Sequence, residues 1–244
     1  MKIDVVYKLG IGSKHNDCEL RYSLRSLSNF KDLGQVWVIG YKPEWCTNVN
    51  YVKCGDFLES NKDGNLIRKL ILACQQESLS DQFLNFSDDQ LLLRECNYID
   101  FAVPIYDNSL IQFKQDQRLS KWKTRLKNTI FTLQEKNLPS NCYEAHIPTL
   151  INKHDFEKTV SQYNYAYGQG MCGNTLYYNT LRKEGIELPS DFSLKIEDEI
   201  KEIERIEALF QGQLHLNYSE DAANEVFLSF LDKKFPQKSK YELY

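Results

Sequence analysis

The chain opens by alternating between two hydrophobic periods. Ile3 to Tyr7 is a short apolar run with β-branched residues, the signature of a buried strand, and it ends at Gly10 and Gly12. Leu20, Leu24 and Leu27 then recur at helical spacing, so residues 17–29 are expected to form an amphipathic helix, with Asn16 or Asp17 as its cap. Val36 to Ile39 reads as a second strand, closed by Gly40 and Pro43, and Tyr51 and Val52 as a short third. Leu66, Leu70 and Ala73 predict a long helix over 64–77, and Gln82 to Phe86 a strand running straight into Ser87-Asp88-Asp89. Strand, helix, strand, helix, strand implies a mainly parallel sheet covered by helices. Ligands of such sheets bind beyond the carboxyl ends of the strands, here the loops after Lys8 and Phe86.

The second half is less regular. Phe101 to Ile105 is expected as a strand, 118–136 as a helix with a basic face, and His146-Ile147-Pro148 as a turn. Helices are expected at 154–163 and 174–184. From Lys195 to Phe210, Ile196, Ile200, Ile203 and Ile206 form one apolar stripe, with the intervening glutamates as its solvated face. Leu214 to Tyr218 reads as a strand and Ala222 to Phe235 as a closing helix. No Pro/Gly/Ser linker and no internal repeat divides the 244 residues, so one α/β domain is expected.

Composition narrows the function classes. Thirty basic against 34 acidic side chains leave a net charge of -4, which excludes a general nucleic-acid-coating surface but not a local basic patch. Seven cysteines are scattered without a CxxC pair, so zinc ribbons and thioredoxin chemistry lack support, and free thiols in a reducing cytoplasm are expected. No window carries the roughly 18 apolar residues of a membrane span, and the first residues lack the apolar stretch of a signal peptide.

The strongest chemical feature is Asp88-Asp89 at a strand end. Adjacent carboxylates raise each other's pKa, and a divalent cation removes that cost; hard oxygen ligands suit Mg²⁺ or Mn²⁺. The bland alternative is a surface turn with a capping aspartate. The loop Gly10-Ile11-Gly12-Ser13 lets backbone approach an anion, but it lacks the third glycine of the dinucleotide fingerprint, since position 15 is His15.

Asp4-Val5-Val6-Tyr7, the Gly-Ser loop and Glu19 to Ser26 together resemble the opening of the Stealth-type sugar transferases, a family that includes small phage-encoded members. The resemblance continues through Asn65 to Leu70 and Asn85 to Asp89. Glu144 to Pro148 is similar to the family's His-x-Pro segment, and Leu216 to Asp221 with Phe235 to Glu242 to its closing motif. The first loop lacks the usual Asp and Ser87 stands where Asn is usual, so sugar and sugar-phosphate transfer both stay open.

The resemblance implies a single GT-A-like (Rossmann-like) domain in which a DxD-like motif holds the metal and a nucleotide-diphosphate sugar is the donor. It implies a donor-binding half over 1–110 and an acceptor-side half over 111–244. Asp88 and Asp89 would then hold Mn²⁺ or Mg²⁺. Gly10, Gly12 and Ser13 would border the nucleotide, and Arg21, Asn65 and Lys69 would contact pyrophosphate or base. His146 would complete the metal shell or orient the acceptor, and Asp221 would take the acceptor proton unless it only caps the last helix.

Two acceptors stay open. One is a capsule or surface glycan; the other is a hydroxymethylated pyrimidine in phage DNA. DNA would be met by the segment Lys114, Arg118, Lys121, Trp122, Lys123, Arg125 and Lys127, which has only Asp116 against it. Phage encoding would place the protein in the host cytoplasm. A non-catalytic module that binds nucleotide sugars is the reading outside enzymology.

Overall fold

The computed structural model describes residues 1–11, 13–113 and 118–243. Strand β1 (Ile3–Leu9) leads into helix α1 (Cys18–Ser26), strands β2 (Leu33–Gly40) and β3 (Asn50–Lys53), helix α2 (Lys62–Cys74) and strand β4 (Gln82–Phe86). Strands β5 (Gln90–Leu92) and β6 (Ile105–Tyr106), helix α3 (Lys121–Glu135), strand β7 (Thr149–Asn152) and helices α4 (Lys153–Val160) and α5 (Gly173–Thr180) follow. The chain ends with β8 (Ile186–Glu187), β9 (Ser193–Ile196), α6 (Ile203–Phe210), β10 (His215–Tyr218) and α7 (Glu225–Lys234).

The central sheet runs β3-β2-β1-β4-β7, with β7 its antiparallel edge and every other pair parallel. Both faces are covered, which is why β1 reads as an almost continuous apolar run. Val5, Tyr7 and Leu9 pack with Leu20 and Leu24 of α1, while Val6 packs with Ile67 and Leu70 of α2 on the other face. Asp4 is the polar exception. Its buried carboxylate accepts from the amides of Gln35 (2.7 Å) and Ser80 (3.0 Å) and from Trp37 Nε1 (3.2 Å), tying β1 to β2 and to the approach of β4. A smaller sheet, β5-β10-β9, packs with α6 and α7 around Leu91, Leu216, Ile206 and Phe227.

Three expectations about the elements need correction. Phe101 to Ile105 is no strand: Asn97 and Asp100 form a capping box around a 3₁₀ turn at Tyr98–Phe101, leaving β6 only two residues after Pro104. The isoleucine stripe does not lie on one element. Ile196 ends β9, hydrogen-bonded to β10, and only Ile203 onward is helical; Ile196, Ile200 and Ile206 still reach one core because strand, loop and helix wrap the same cluster. The closing helix begins at Glu225, capped by the Asn224 side chain on Phe227 N (2.9 Å), so Asp221 is not its cap.

Candidate active site

Two connected cavities open at the carboxyl ends of β1 and β4. The first, ≈ 750 Å³, is lined by Gly10, Ser13, Asn61, Lys62, Asp88 and Lys121 among others; the second, ≈ 610 Å³, by Asn85, Asp107, Trp122, Glu144, Asn174 and Asn217 among others. Both sizes are those of small-molecule clefts. Lys8, Ser87, Asp89, His146 and Tyr218 are among the residues that line both, at the waist where the lobes meet, and Lys62 and Arg125 also border both. Residues from before and after position 110 line each lobe.

Asp88 and Asp89 follow β4 directly, as their position predicts. Burial, reinforced by the neighbouring Asp89 charge, pushes the Asp88 carboxyl up to about 6. Burial also opposes ionisation of Asp89, but His146 outweighs it and holds that carboxyl below its ordinary value. The His146 Nε2 lies 3.0 Å and 2.9 Å from the two Asp89 oxygens. Despite partial desolvation, the Asp89 charge raises the imidazole's pKa. His146 sits at φ +54°, a left-handed conformation histidine adopts more readily than most side chains, and its carbonyl accepts from Asn217 Nδ2 (3.3 Å). A segment remote in sequence thus meets the acidic pair. Among the described residues no group of three or more His, Cys, Asp or Glu side chains is arranged to hold a metal ion.

Several expected donor contacts have other partners. Lys69 is buried beneath the cleft, donating to Leu9 O (2.7 Å) and paired with Asp56 (2.6 Å). Gly40, at φ +116°, makes room for it: a Cβ there would stand 2.1 Å from Leu9 O and 2.9 Å from Lys69 Cε. Lys69 therefore fixes the end of β1 and the loop bearing Asp56. Asn65 borders the cleft, but its amide is committed to Leu58, accepting from its N–H (3.0 Å) and donating to its carbonyl (2.9 Å). Arg21 is outside both lobes. It pairs with Glu242 (3.0 Å) and stacks 4.3 Å over Trp45, while Arg25 makes a two-pronged contact with the same carboxylate.

Ser13 and Gly10 do line the first lobe; Ser13 donates to Glu19 Oε2 (2.9 Å) and accepts from the amides of His15 and Asp17. Gly12, Lys114 and Asp116 lie outside the described residues. The basic segment is also dispersed. Arg125 turns inward to pair with Asp63, Lys123 donates to Leu110 O, Lys121 lines the first lobe and Trp122 the second. Asp221 is exposed and borders neither lobe; its neighbour Glu220 does, paired with Lys14 (2.7 Å).

Sequence reasoning missed Lys8, Glu144 and Tyr218. Glu144 and Tyr218 lie within motifs and Lys8 just before one, but nothing in their own spacing marks them; only the junction of strands brings them together. Burial raises the Glu144 pKa, and its Oε1 accepts from Thr175 N (3.0 Å) at the start of α5. The buried Tyr218 hydroxyl has no hydrogen-bond partner among the described residues. His215 is buried too, lowered to about 3 by desolvation and therefore neutral.

No family model matches the chain, and no curated protein matches it. Solved structures do. The galactosyltransferase LgtC, in complex with donor and acceptor sugar analogues, is 13% identical with a TM-score of 0.51 over 98% of both chains. The bifunctional glycosyltransferase WbbM is 10% identical with a TM-score of 0.50, over 97% of this chain and 50% of its own. The fold is GT-A-like. At these identities the likeness concerns the fold, an α/β domain with a mainly parallel sheet flanked by helices. No helix among the described residues is long and apolar enough to cross a membrane.

Proposed function

We propose that the protein transfers a sugar from a nucleotide-diphosphate sugar to a hydroxyl of a glycan. One observation carries the reading: in a GT-A-like fold, two ligand-sized lobes meet at a waist holding Asp89, His146 and the adjoining Asp88. Donor and acceptor are then brought together without a bimolecular encounter at the chemical step.

The first lobe suits the donor. Its mouth receives the N-termini of α2 and α3, each beginning with an exposed lysine, Lys62 and Lys121. Helix N-termini and ammonium groups favour a diphosphate. The acidic pair fits a divalent cation of the Mg²⁺ or Mn²⁺ class, because such ions commonly take one or two protein carboxylates and complete their shell with substrate phosphate and water. That open arrangement agrees with a donor set smaller than three; Asp89 with Asp88 would hold the cation, whose charge would offset that of the leaving diphosphate.

The second lobe suits a sugar. Asn174 and Asn217 supply amide groups, and Trp122 an aromatic wall. Among its carboxylates, Asp63, Asp89 and Glu197 are ion-paired and Asp107 holds Ser109, whereas Glu144 has no ion-pair partner among the described residues. Glu144, in place of the exposed Asp221, is the base that takes the acceptor proton; its raised pKa strengthens it for that task. Dispersal of the basic segment favours a glycan over DNA.

The test is turnover of a nucleotide-sugar panel with Mn²⁺ and with EDTA. Metal-dependent hydrolysis is expected of the parent and lost in Asp89→Ala, whose metal-free stability stays within about 1 kcal/mol of the parent. A thermal shift without turnover for every donor would instead indicate a binding module. Salt-sensitive binding of hydroxymethylpyrimidine DNA with sugar incorporation would move the acceptor to DNA.

A further inference from the structure

Lys8 is a half-buried cation in the cleft with no directly paired carboxylate among the described residues. Its Nζ donates to the neutral Asn85 Oδ1. The more deeply buried cations lining the cleft are matched: Lys69 with Asp56 and Arg125 with Asp63. Asn85 is itself fixed by Thr149 Oγ1 (3.1 Å) and Asn174 Oδ1 (3.4 Å), so the ammonium is held in place. Desolvation outweighs the attraction of Glu144, Asp88 and Asp89 and brings the Lys8 pKa down to about 8. Enclosing a charge without a partner costs stability, and such a cost is repaid when an anion arrives.

We propose that Lys8 is a catalytic residue that binds the leaving diphosphate at the waist of the cleft. Position selects this anion. Lys8 lines both lobes beside Asp89, whereas the second lobe also carries Asp107, Glu144 and Glu197, whose charge disfavours an anionic acceptor. In the transfer, the bond from the anomeric carbon to the diphosphate oxygen breaks and its electron pair stays on that oxygen. The acceptor oxygen forms the new bond and its proton passes to Glu144. Lys8 donates an N–H to the departing phosphate group, so its contact strengthens as charge develops there. The identity of this anion rests on the glycosyltransfer reading, whereas the anion site itself can be measured without turnover.

The experiment is calorimetric titration of the full chain with inorganic pyrophosphate, with and without Mg²⁺, beside donor turnover. Lys8→Met should bind pyrophosphate at least tenfold more weakly and Lys8→Arg within threefold of the parent. Lys8→Met should melt no lower than the parent, because it removes an unpaired charge; a merely structural lysine would show the reverse. With a turning-over parent, kcat in Lys8→Met should fall more than donor KM rises. Equal pyrophosphate affinity in parent and Lys8→Met, or no binding by the parent, overturns the proposal. Lys8-dependent binding without any sugar transfer would leave the anion site standing and remove the transferase reading. Transfer that is indifferent to Lys8→Met would do the opposite.

Discussion

Glu242 should hold the folded chain together to an extent unusual for a surface-type residue. Its carboxylate side chain has no exposed area, while Arg25 and Arg21 retain 9% and 23%. Arg25 contributes Nε (2.9 Å) and Nη2 (2.8 Å), and Ser239 adds its amide (2.8 Å) and hydroxyl (3.1 Å). Among the described residues, Glu242→Ala leaves Arg25 enclosed with only the more distant Asp232, 3.7 Å away, as a carboxylate partner. Removing one member of a buried pair costs about 3–5 kcal/mol, most of it the penalty on the charge left behind. Arg21 adds less, being more exposed and supported by Trp45. At this chain length each kcal/mol moves Tm by about 2–4 °C, so a fall of roughly 6–20 °C is expected.

Urea unfolding of Glu242→Ala, Arg25→Met and the double variant Arg25→Met/Glu242→Met measures the coupling, and the double variant should recover most of the loss. The pH dependence has a definite sign. Burial tends to raise the Glu242 pKa, but the Arg25 and Ser239 hydrogen bonds win and hold it below the usual 4.5. Its stabilising contribution is therefore complete above about 4.5 and is lost as pH falls through the lower folded value. Glu242→Gln should lack that part of the acid transition. A loss under about 1 kcal/mol in Glu242→Ala, or an unchanged acid limb in Glu242→Gln, would refute this account of the clamp.

Glu144→Gln should lower kcat for transfer by about 10²–10⁴ with donor affinity retained, as expected for loss of a general base. Since burial raises the Glu144 pKa, the acid limb of the parent's activity should lie above the ordinary glutamate range; unchanged kcat in the variant would remove it from the reaction. Lys69→Met should cost about 1–3 kcal/mol in chemical unfolding, because it leaves Asp56 without its cation and Leu9 O with only the Tyr41 amide (3.2 Å), an effect absent if Lys69 merely awaited a ligand. Lys121→Glu should weaken pyrophosphate binding while Lys127→Glu, on the exposed side of α3, leaves it unchanged; equal effects would argue for a diffuse basic face rather than a lobe-lining lysine.

Local pattern determined the doubly covered sheet. The run from Ile3 to Tyr7, the leucines of α1 and the α2 stripe have single low-energy burial solutions, and all appear where their periods place them. Asp88-Asp89 was legible for the same reason: an apolar strand must deliver its polar continuation to the sheet's carboxyl edge. Tertiary structure decided the partners. Arg21 and Lys69 look like free helical cations in sequence, yet Glu242 and Asp56 claim them, because a charge entering a low-dielectric interior must find a counter-charge wherever the chain supplies one. The isoleucines from Ile196 to Ile206 share a core through strand, loop and helix, since burial selects a face and leaves the backbone's path to hydrogen-bonding neighbours. The waist of Lys8, Asp89, His146 and Tyr218 was invisible for the same physical reason. Each side chain is locally ordinary, and only the convergence of β1, β4, β10 and the turn before β7 gives them a common cavity.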